Sequence, residues 1–186
     1  MIDIEELSGA DLIGRRLLKV TAAWHHHHGD DEPSLLHLWL HLEGLGPVLF
    51  HTPSTGLSLR AERPHGPYAM AQYGSVRVTD DPPGVPLTGF VGQPVRAVRE
   101  IGYDDGRVAF AAGLTLRFPG GDVRLFALVD ELTIADDRHP GPAGAHLHEG
   151  PDLTRAAGAR PAGAPPAGAP PGGASPADAS PGDGKG

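Results

Sequence analysis

Alternating apolar and polar residues are the strongest pattern in this chain. From Leu36 to Leu42 every second residue is a leucine, and His37, Trp39 and His41 stand between the leucines. Residues that alternate with a period of two point to opposite faces of a β-strand. The pattern therefore predicts a strand with leucines on one face and two histidines and a tryptophan on the other.

A helix is the alternative for the same segment. Ser34 could cap its start and Gly44 could end it, and leucine is a good helix former. However, the later segment Leu114–Phe118 resembles Leu38–Leu42, alternates as strictly and contains the β-branched Thr115. This comparison favours the strand.

The second half of the chain repeats the pattern of the first. Leu12–Val20 returns as Phe90–Val98, in each case two apolar residues and a glycine followed by a short run that ends on an apolar residue. Further matches are Leu38–Leu42 with Leu114–Phe118, Val48–Phe50 with Arg124–Phe126, and Leu57–Leu59 with Leu132–Ile134. The offset drifts only from 78 to 75 residues, so we predict an internal duplication with repeat units at about 12–61 and 90–135.

The predicted fold is all-β. Strands are expected near 15–21, 35–42, 47–52, 57–61, 93–100, 107–118, 123–128 and 131–135, with a linker strand at about 74–79. Two units of three to four strands would pack about a pseudo-twofold axis into a small barrel or sandwich, because one unit alone leaves an apolar face open. The expected core residues are Leu40, Phe50, Leu59, Leu116, Phe118, Phe126 and Ile134.

The C-terminal part of the chain differs in composition. From residue 139 it consists mainly of proline, glycine and alanine, and from Ala157 to Pro181 it runs in five-residue steps such as AGAPP. So few apolar side chains cannot offset the entropy lost on ordering. We therefore expect a single domain over 1–138 and a disordered tail over 139–186.

Charge and composition narrow the function. The chain carries 23 acidic and 15 basic side chains, a net charge of −8, and no basic face is evident, which disfavours nucleic-acid partners. No apolar run approaches the roughly 18 residues that cross a bilayer. The start of the chain is acidic, unlike a secretory signal, so no membrane contact and a cytoplasmic location are expected. With no cysteine, thiolate chemistry is excluded within this chain.

Four consecutive histidines are the first candidate site. His25, His26, His27 and His28 could hold zinc, nickel or copper, since neutral imidazole is a common metal ligand. The second repeat has only a short turn at this place, so the run is better interpreted as an exposed insertion at a hairpin tip. We expect no required cofactor, with adventitious zinc or nickel as the alternative.

A second candidate site is the polar face of the predicted strand. His37 and His41 would lie roughly 13 Å apart on a strand, too far to share one ion. Together with Trp39 they suggest a partly exposed contact surface, which Tyr68 and Tyr73 of the linker could extend. The candidate partner-binding residues are thus Trp39, Tyr68, Tyr73, His37 and His41.

Catalytic motifs are scarce. We find no nucleophile elbow, Walker loop or dinucleotide fingerprint. A hydrolase using His51 or the pair Asp130 and Glu131 is the least favoured hypothesis, because a charged turn explains the pair better.

The run Leu12–Arg16, the Leu-x-Leu-x-Phe pattern before a glycine-rich turn and the run Asp130–Ile134 resemble a broad group of small, uncharacterised bacterial β-rich proteins. Some immunity-type proteins that neutralise toxins look similar, and Leu12–Arg16 also resembles the opening of a PRC-type barrel. The resemblance implies a β fold and no catalytic residues. We therefore expect a non-enzymatic module that binds another protein, with a histidine-based metal-binding protein as the alternative.

Overall fold

The prediction of an all-β fold is confirmed by the computed structural model. The structure describes residues 6–28, 32–53, 56–128, 131–136 and 146–153. Their strands are β1 (Glu6–Leu7), β2 (Leu17–His26), β3 (Ser34–Leu42), β4 (Gly46–His51), β5 (Ser58–Ala61), β6 (Tyr68–Ala69), β7 (Ser75–Asp80), β8 (Ala97–Asp104), β9 (Ala109–Phe118), β10 (Gly121–Leu128), β11 (Glu131–Asp136) and β12 (Leu147–Asp152).

Helical structure among these residues is limited to short 3₁₀ turns at Gly9–Leu12, Ala71–Tyr73 and Pro86–Phe90. In the part of the chain that the structure describes, no helix is long and apolar enough to cross a membrane.

The strands form two antiparallel sheets. The first has the order β1-β5-β4-β3-β2-β7-β6 and the second the order β11-β10-β9-β8-β12. Each sheet contains a meander of four consecutive strands, β2 to β5 in the first and β8 to β11 in the second. Leucine and valine side chains from both sheets meet in one buried core, as in a sandwich.

Most of the predicted core residues lie in this core, but Phe126 does not. Phe126 packs with Ile101 and Ala135 on the face of the second sheet that points away from the core, while its neighbour Leu125 points inward. A shift of one residue moves a side chain to the other face of a sheet. The sequence match between Phe50 and Phe126 is therefore one residue out of step with the packing, and Leu125 occupies the position that corresponds to Phe50.

The two halves meet in a reciprocal backbone contact. Arg16 and Pro94 form an isolated antiparallel bridge. Around it lie two equivalent pairs of hydrogen bonds: Leu17 N to Gln93 O (2.9 Å) with Val95 N to Arg15 O (2.8 Å), and Gly14 N to Val95 O (2.8 Å) with Gly92 N to Leu17 O (2.7 Å). Each donor and acceptor of the first half has its counterpart 78 positions later. The contact thus has local twofold symmetry, and an origin by duplication stays a prediction.

The predicted start of the tail needs a correction. Leu147–Asp152, assigned above to the tail, is strand β12 and pairs with β8. Leu147 packs against the cluster of Ile101 and Phe126, and Arg99 Nη1 contacts Glu149 Oε2 at 2.9 Å. Without β12, β8 would be an edge strand with unpaired backbone groups. The segment has the sequence LHEGPD, with a single large apolar side chain and no alternation, so its composition gave no sign of a strand. Residues 154–186 lie outside the described residues.

Candidate functional site

Trp39 occupies the middle of the outer face of the first sheet, the face that points away from the core. It lies on β3, flanked by Thr21 of β2 and Leu49 of β4. Its exposed fraction is 0%, so the expectation of a partly exposed Trp39 is corrected. The reason is the chain between β5 and β7: His65 and Met70 of residues 62–70, here called the covering segment, pack against the cluster that contains Trp39.

Four rings form what we call the aromatic cluster: His37, Trp39, His65 and Tyr68. The His65 ring of the covering segment lies edge-on to Trp39, with centroids 5.1 Å apart, and the His37 ring lies 5.5 Å from Trp39. Tyr68 extends the cluster outward at 5.3 Å from His65. Met70 packs against the same apolar patch beneath them. The arrangement brings together three predicted site residues and one histidine that sequence analysis had not singled out.

The two histidines of the cluster share a hydrogen bond. His37 Nδ1 and His65 Nε2 are 3.0 Å apart, and His65 Nδ1 is 2.8 Å from the carbonyl oxygen of Gly66. A carbonyl only accepts, so His65 Nδ1 carries a proton. In the neutral ring His65 Nε2 is then an acceptor, and His37 Nδ1 donates to it. When both rings are neutral, the contact therefore fixes the tautomer of each.

The surroundings of His37 disfavour its charged form. Burial lowers its pKa from the ordinary value, and the neighbouring His65 and His51 lower it further, while Glu62 acts in the opposite direction. The pKa of His51 is also lowered, by burial and then by Arg60. His51 Nε2 is buried without a hydrogen-bond partner in the described part of the chain. The surroundings therefore favour the neutral forms of His37 and His51.

His41 belongs to a separate polar group on the same face. Thr21 Oγ1 donates to Asp80 Oδ1 (2.7 Å) and lies 2.9 Å from His41 Nε2, which must then be the donor. Lys19 Nζ contacts Asp80 Oδ2 at 3.0 Å. These hydrogen bonds from Thr21 and Lys19 lower the pKa of Asp80, whereas burial and then Lys19 lower the pKa of His41. Since Thr21 is buried, the group holds β2, β3 and β7 together.

Tyr68 and Tyr73 are exposed, as a contact surface requires. Their exposed fractions are 42% and 57%, and they lie on the hairpin formed by β6, a 3₁₀ turn and β7. Tyr73 O accepts a hydrogen bond from His25 Nε2 (2.6 Å). Gly74 has a φ of +100° and packs directly on the backbone of His26, so a side chain has no room there. The hairpin is thereby fixed to β2.

The four consecutive histidines are not brought together as a metal site. His25 and His26 end strand β2, where successive side chains point to opposite faces, and His25 uses its Nε2 on Tyr73 O. His27 and His28 are exposed beyond the strand. Among the described residues no group of three or more histidine, aspartate or glutamate side chains is arranged to hold a metal ion. The predicted hairpin tip itself, residues 29–31, lies outside them.

The hydrolase candidates are likewise separated. His51 lies on β4 of the first sheet, whereas Glu131 is an exposed residue on β11 of the second. Asp130 lies outside the described residues. A separate groove of about 400 Å³ on the described part of the chain is lined by Trp24, His26, Pro33, Arg77, Thr79, Pro82 and Pro83.

Sequence analysis missed His65 and two charged neighbours of the site, Arg60 and Glu62. Arg60 and Glu62 are two positions apart at the end of β5, and Arg60 Nη2 lies 3.8 Å from Glu62 Oε2. His65 follows Pro64 and precedes Gly66 and Pro67, in a segment without periodicity. One sequence feature could have indicated the site: His65 and Tyr68 are two rings close together in a linker. Such a linker can pack on a sheet through its rings.

Fold and site define a two-sheet β protein with a histidine and aromatic cluster on one outer face. Comparisons of the chain with protein-family models, with curated proteins and with solved structures find no match.

Proposed function

We propose that this chain is a non-enzymatic binding module that recognises another protein through Tyr68 and Tyr73. The observation that carries the proposal is that two exposed tyrosines lie on a hairpin whose backbone is fixed to the sheet. Tyrosine supplies a large contact area with only two side-chain torsions to order and a hydroxyl for a hydrogen bond. A fixed backbone lowers the entropy that binding costs.

The remaining candidate residues support this surface. Trp39 is fully buried and cannot touch a partner, but His65 packs against it and in turn contacts Tyr68. His37 holds His65 in place, and His41 is engaged with Thr21. In this proposal the polar side chains of the face position the tyrosines and do not react.

Charge suggests the kind of partner. A net charge of −8 raises the rate of encounter with a basic protein and disfavours an acidic one. The resemblance to immunity-type proteins points the same way, since an acidic inhibitor suits a basic toxin. We therefore propose a basic protein as the partner class.

The test is affinity capture with the full chain. A double variant, Tyr68→Ala with Tyr73→Ala, is compared with wild type and with Val108→Ala, a change at a residue 55% exposed on the second-sheet side. We expect a basic protein that wild type and Val108→Ala retain and the double variant loses. Retention by the double variant, or equal loss with Val108→Ala, would contradict the proposal.

A further inference from the structure

The core-facing side of the first sheet extends beyond the second sheet at strand β7. Trp24 on β2 points to this side, since it packs against the buried core. In the ladder between β2 and β7, Arg77 lies opposite Trp24, so the two share a face. Thr79, two residues further along β7, lies on the same face. Arg77 and Thr79 are nevertheless exposed, so the described part of the second sheet leaves this end of the face uncovered.

The groove of about 400 Å³ that lies here is called the proline groove below. Its apolar walls are the Trp24 indole and the rings of Pro33, Pro82 and Pro83. Because proline fixes its own φ, these walls need little ordering when a ligand binds. No carboxylate is among the described residues that line the groove, and Arg77 forms no ion pair with any described residue. The proline groove therefore suits an apolar ligand that carries hydrogen-bond acceptors.

A polyproline II helix is a ligand of this kind. It has no internal hydrogen bonds, so its carbonyl groups are free to accept. Proline-rich segments in this conformation bind in grooves lined by aromatic side chains. The Trp24 indole supplies the aromatic surface, and the side chains of Trp24 and Arg77 carry only hydrogen-bond donors. The chemistry of the proline groove thus matches a proline-rich segment.

The chain itself contains such a segment. Pro165–Pro171 has the sequence PPAGAPP, in which alanine and glycine separate two proline pairs. A segment with so few apolar side chains cannot form a core of its own, but it can bind in a groove that already exists. The two proline pairs are equivalent in sequence, so either can occupy the groove.

The chain is long enough for this segment to reach the groove. Leu153, the last described residue, packs against the core, and Pro165 follows twelve positions later. Twelve extended residues span up to about 40 Å, whereas a domain of this size has a radius of gyration of about 15 Å. A short tether gives its ligand an effective concentration of the order of millimolar, so a weak contact is sufficient.

We propose that the proline groove is the docking site for Pro165–Pro171 of the same chain, bound as a polyproline II helix. The docked segment covers the end of the core-facing side that the second sheet leaves open. An external ligand of the same chemistry must displace it. This docking is independent of the proposed function, because the groove and the exposed tyrosines share no residue.

A spin label on the tail tests the docking in the full chain. The chain contains no cysteine, so Ala174→Cys provides a single attachment site close to the docking segment. We expect the label to broaden the NMR signals of the Trp24 indole and the Thr79 amide. The indole of Trp39, which lies on the opposite face of the same sheet, is the internal control and should be broadened less. Equal broadening of both indoles, or of neither, would overturn the proposal.

Variants of the tail assign the effect to the proline pairs. In the labelled chain, serine replaces the four prolines of PPAGAPP and leaves the length of the tail unchanged. We expect the preferential broadening at Trp24 to be lost. The matched control replaces Pro176 and Pro181 by serine and keeps PPAGAPP intact, so the broadening should remain. Persistence in the first variant, or loss in the control, would contradict the docking of this segment.

Variants of the groove test the other side of the contact. Pro83 and Pro53 are both exposed prolines, but only Pro83 lines the groove. Pro83→Ser should weaken the broadening at the Trp24 indole in the labelled chain, whereas Pro53→Ser should leave it unchanged. An equal effect of the two substitutions would show that the groove is not the docking site.

A mixing experiment distinguishes one chain from two. Spin-labelled chain without isotope enrichment is mixed in equal amounts with unlabelled chain enriched in ¹⁵N. If the segment docks within its own chain, the signals of the enriched chain stay sharp. Preferential broadening of its Trp24 indole would place the tail of a second copy in the groove and overturn docking within one chain.

Discussion

Arg16 and Pro94 lie opposite each other at the point where the two sheets meet, and the residues on either side of each exchange the hydrogen bonds of the bridge. In such a pair the facing residues use no backbone N–H of their own. Proline has no backbone N–H, so Pro94 fits this position and no bridge hydrogen bond is lost. The contact connects each half of the chain to the matching part of the other.

The glycines that precede this bridge allow the first prediction. Gly14 and Gly92 have φ values of +81° and +89° and open space around them. Gly14→Ala and Gly92→Ala should each lower the free energy of unfolding by about 1–2 kcal/mol, the cost of a left-handed alanine. Urea denaturation measures this. Gly89→Ala, in the neighbouring 3₁₀ turn and equally free of close contacts, should have a smaller effect; a larger one would show that backbone conformation is not the cause.

Gly74 should tolerate substitution far less well. A Cβ there would collide with the carbonyl oxygen of His26, and φ is +100°. We expect Gly74→Ala to cost more than about 2 kcal/mol, beyond the conformational penalty alone, and to raise hydrogen exchange at Tyr73. Gly66→Ala is the control, since nothing lies near its Cβ position. Equal exchange in both variants would contradict the fixed hairpin.

Trp39 should contribute to stability in proportion to its burial. Trp39→Ala is expected to cost about 3–5 kcal/mol, as for other large buried aromatic residues. Trp39→Phe should cost less, because the indole Nε1 is buried without a partner in the described structure and its removal relieves an unpaired donor. Trp24→Ala, at a partly buried position, should lie below Trp39→Ala. Denaturant midpoints measure these losses of stability. A larger loss in Trp24→Ala than in Trp39→Ala would contradict the burial of Trp39.

We expect Asp80, at the other end of this face, to make the free energy of unfolding depend on pH. Hydrogen bonds from Thr21 and Lys19 lower its pKa in the folded state, so its contribution to stability is present above the ordinary carboxyl pKa and is lost as pH falls through the lowered value. Asp80→Asn should therefore reduce stability in neutral solution and have no effect in strong acid. The side chain is exposed, which keeps the effect small. Thr21→Val should diminish this difference; an unchanged difference would exclude Thr21 as its cause.

The strands were predictable because alternation is a local property. The leucines from Leu36 to Leu42, and the corresponding apolar residues of Leu114–Phe118, indicate both the strands and their buried faces. In β10 the run from Leu125 to Leu128 is apolar throughout, so alternation could not show that Phe126 faces away from the core.

The site was predictable only in part because it depends on where the chain between β5 and β7 runs over the first sheet. His37 and His65 are 28 residues apart, and no periodicity marks the segment that carries His65 across the sheet. The same path buries Trp39, whose alternation with leucine suggested an outward face but could not indicate what covers that face.

The edge of the first sheet has a consequence for association. Strand β6 comprises only Tyr68 and Ala69, and Pro67 directly before it has no backbone donor. Another chain that tried to extend the sheet here would find almost no ladder to join. At this edge the protein thus presents Tyr68 without offering a strand ladder to another chain, so the proposed partner would have to be selected through side chains.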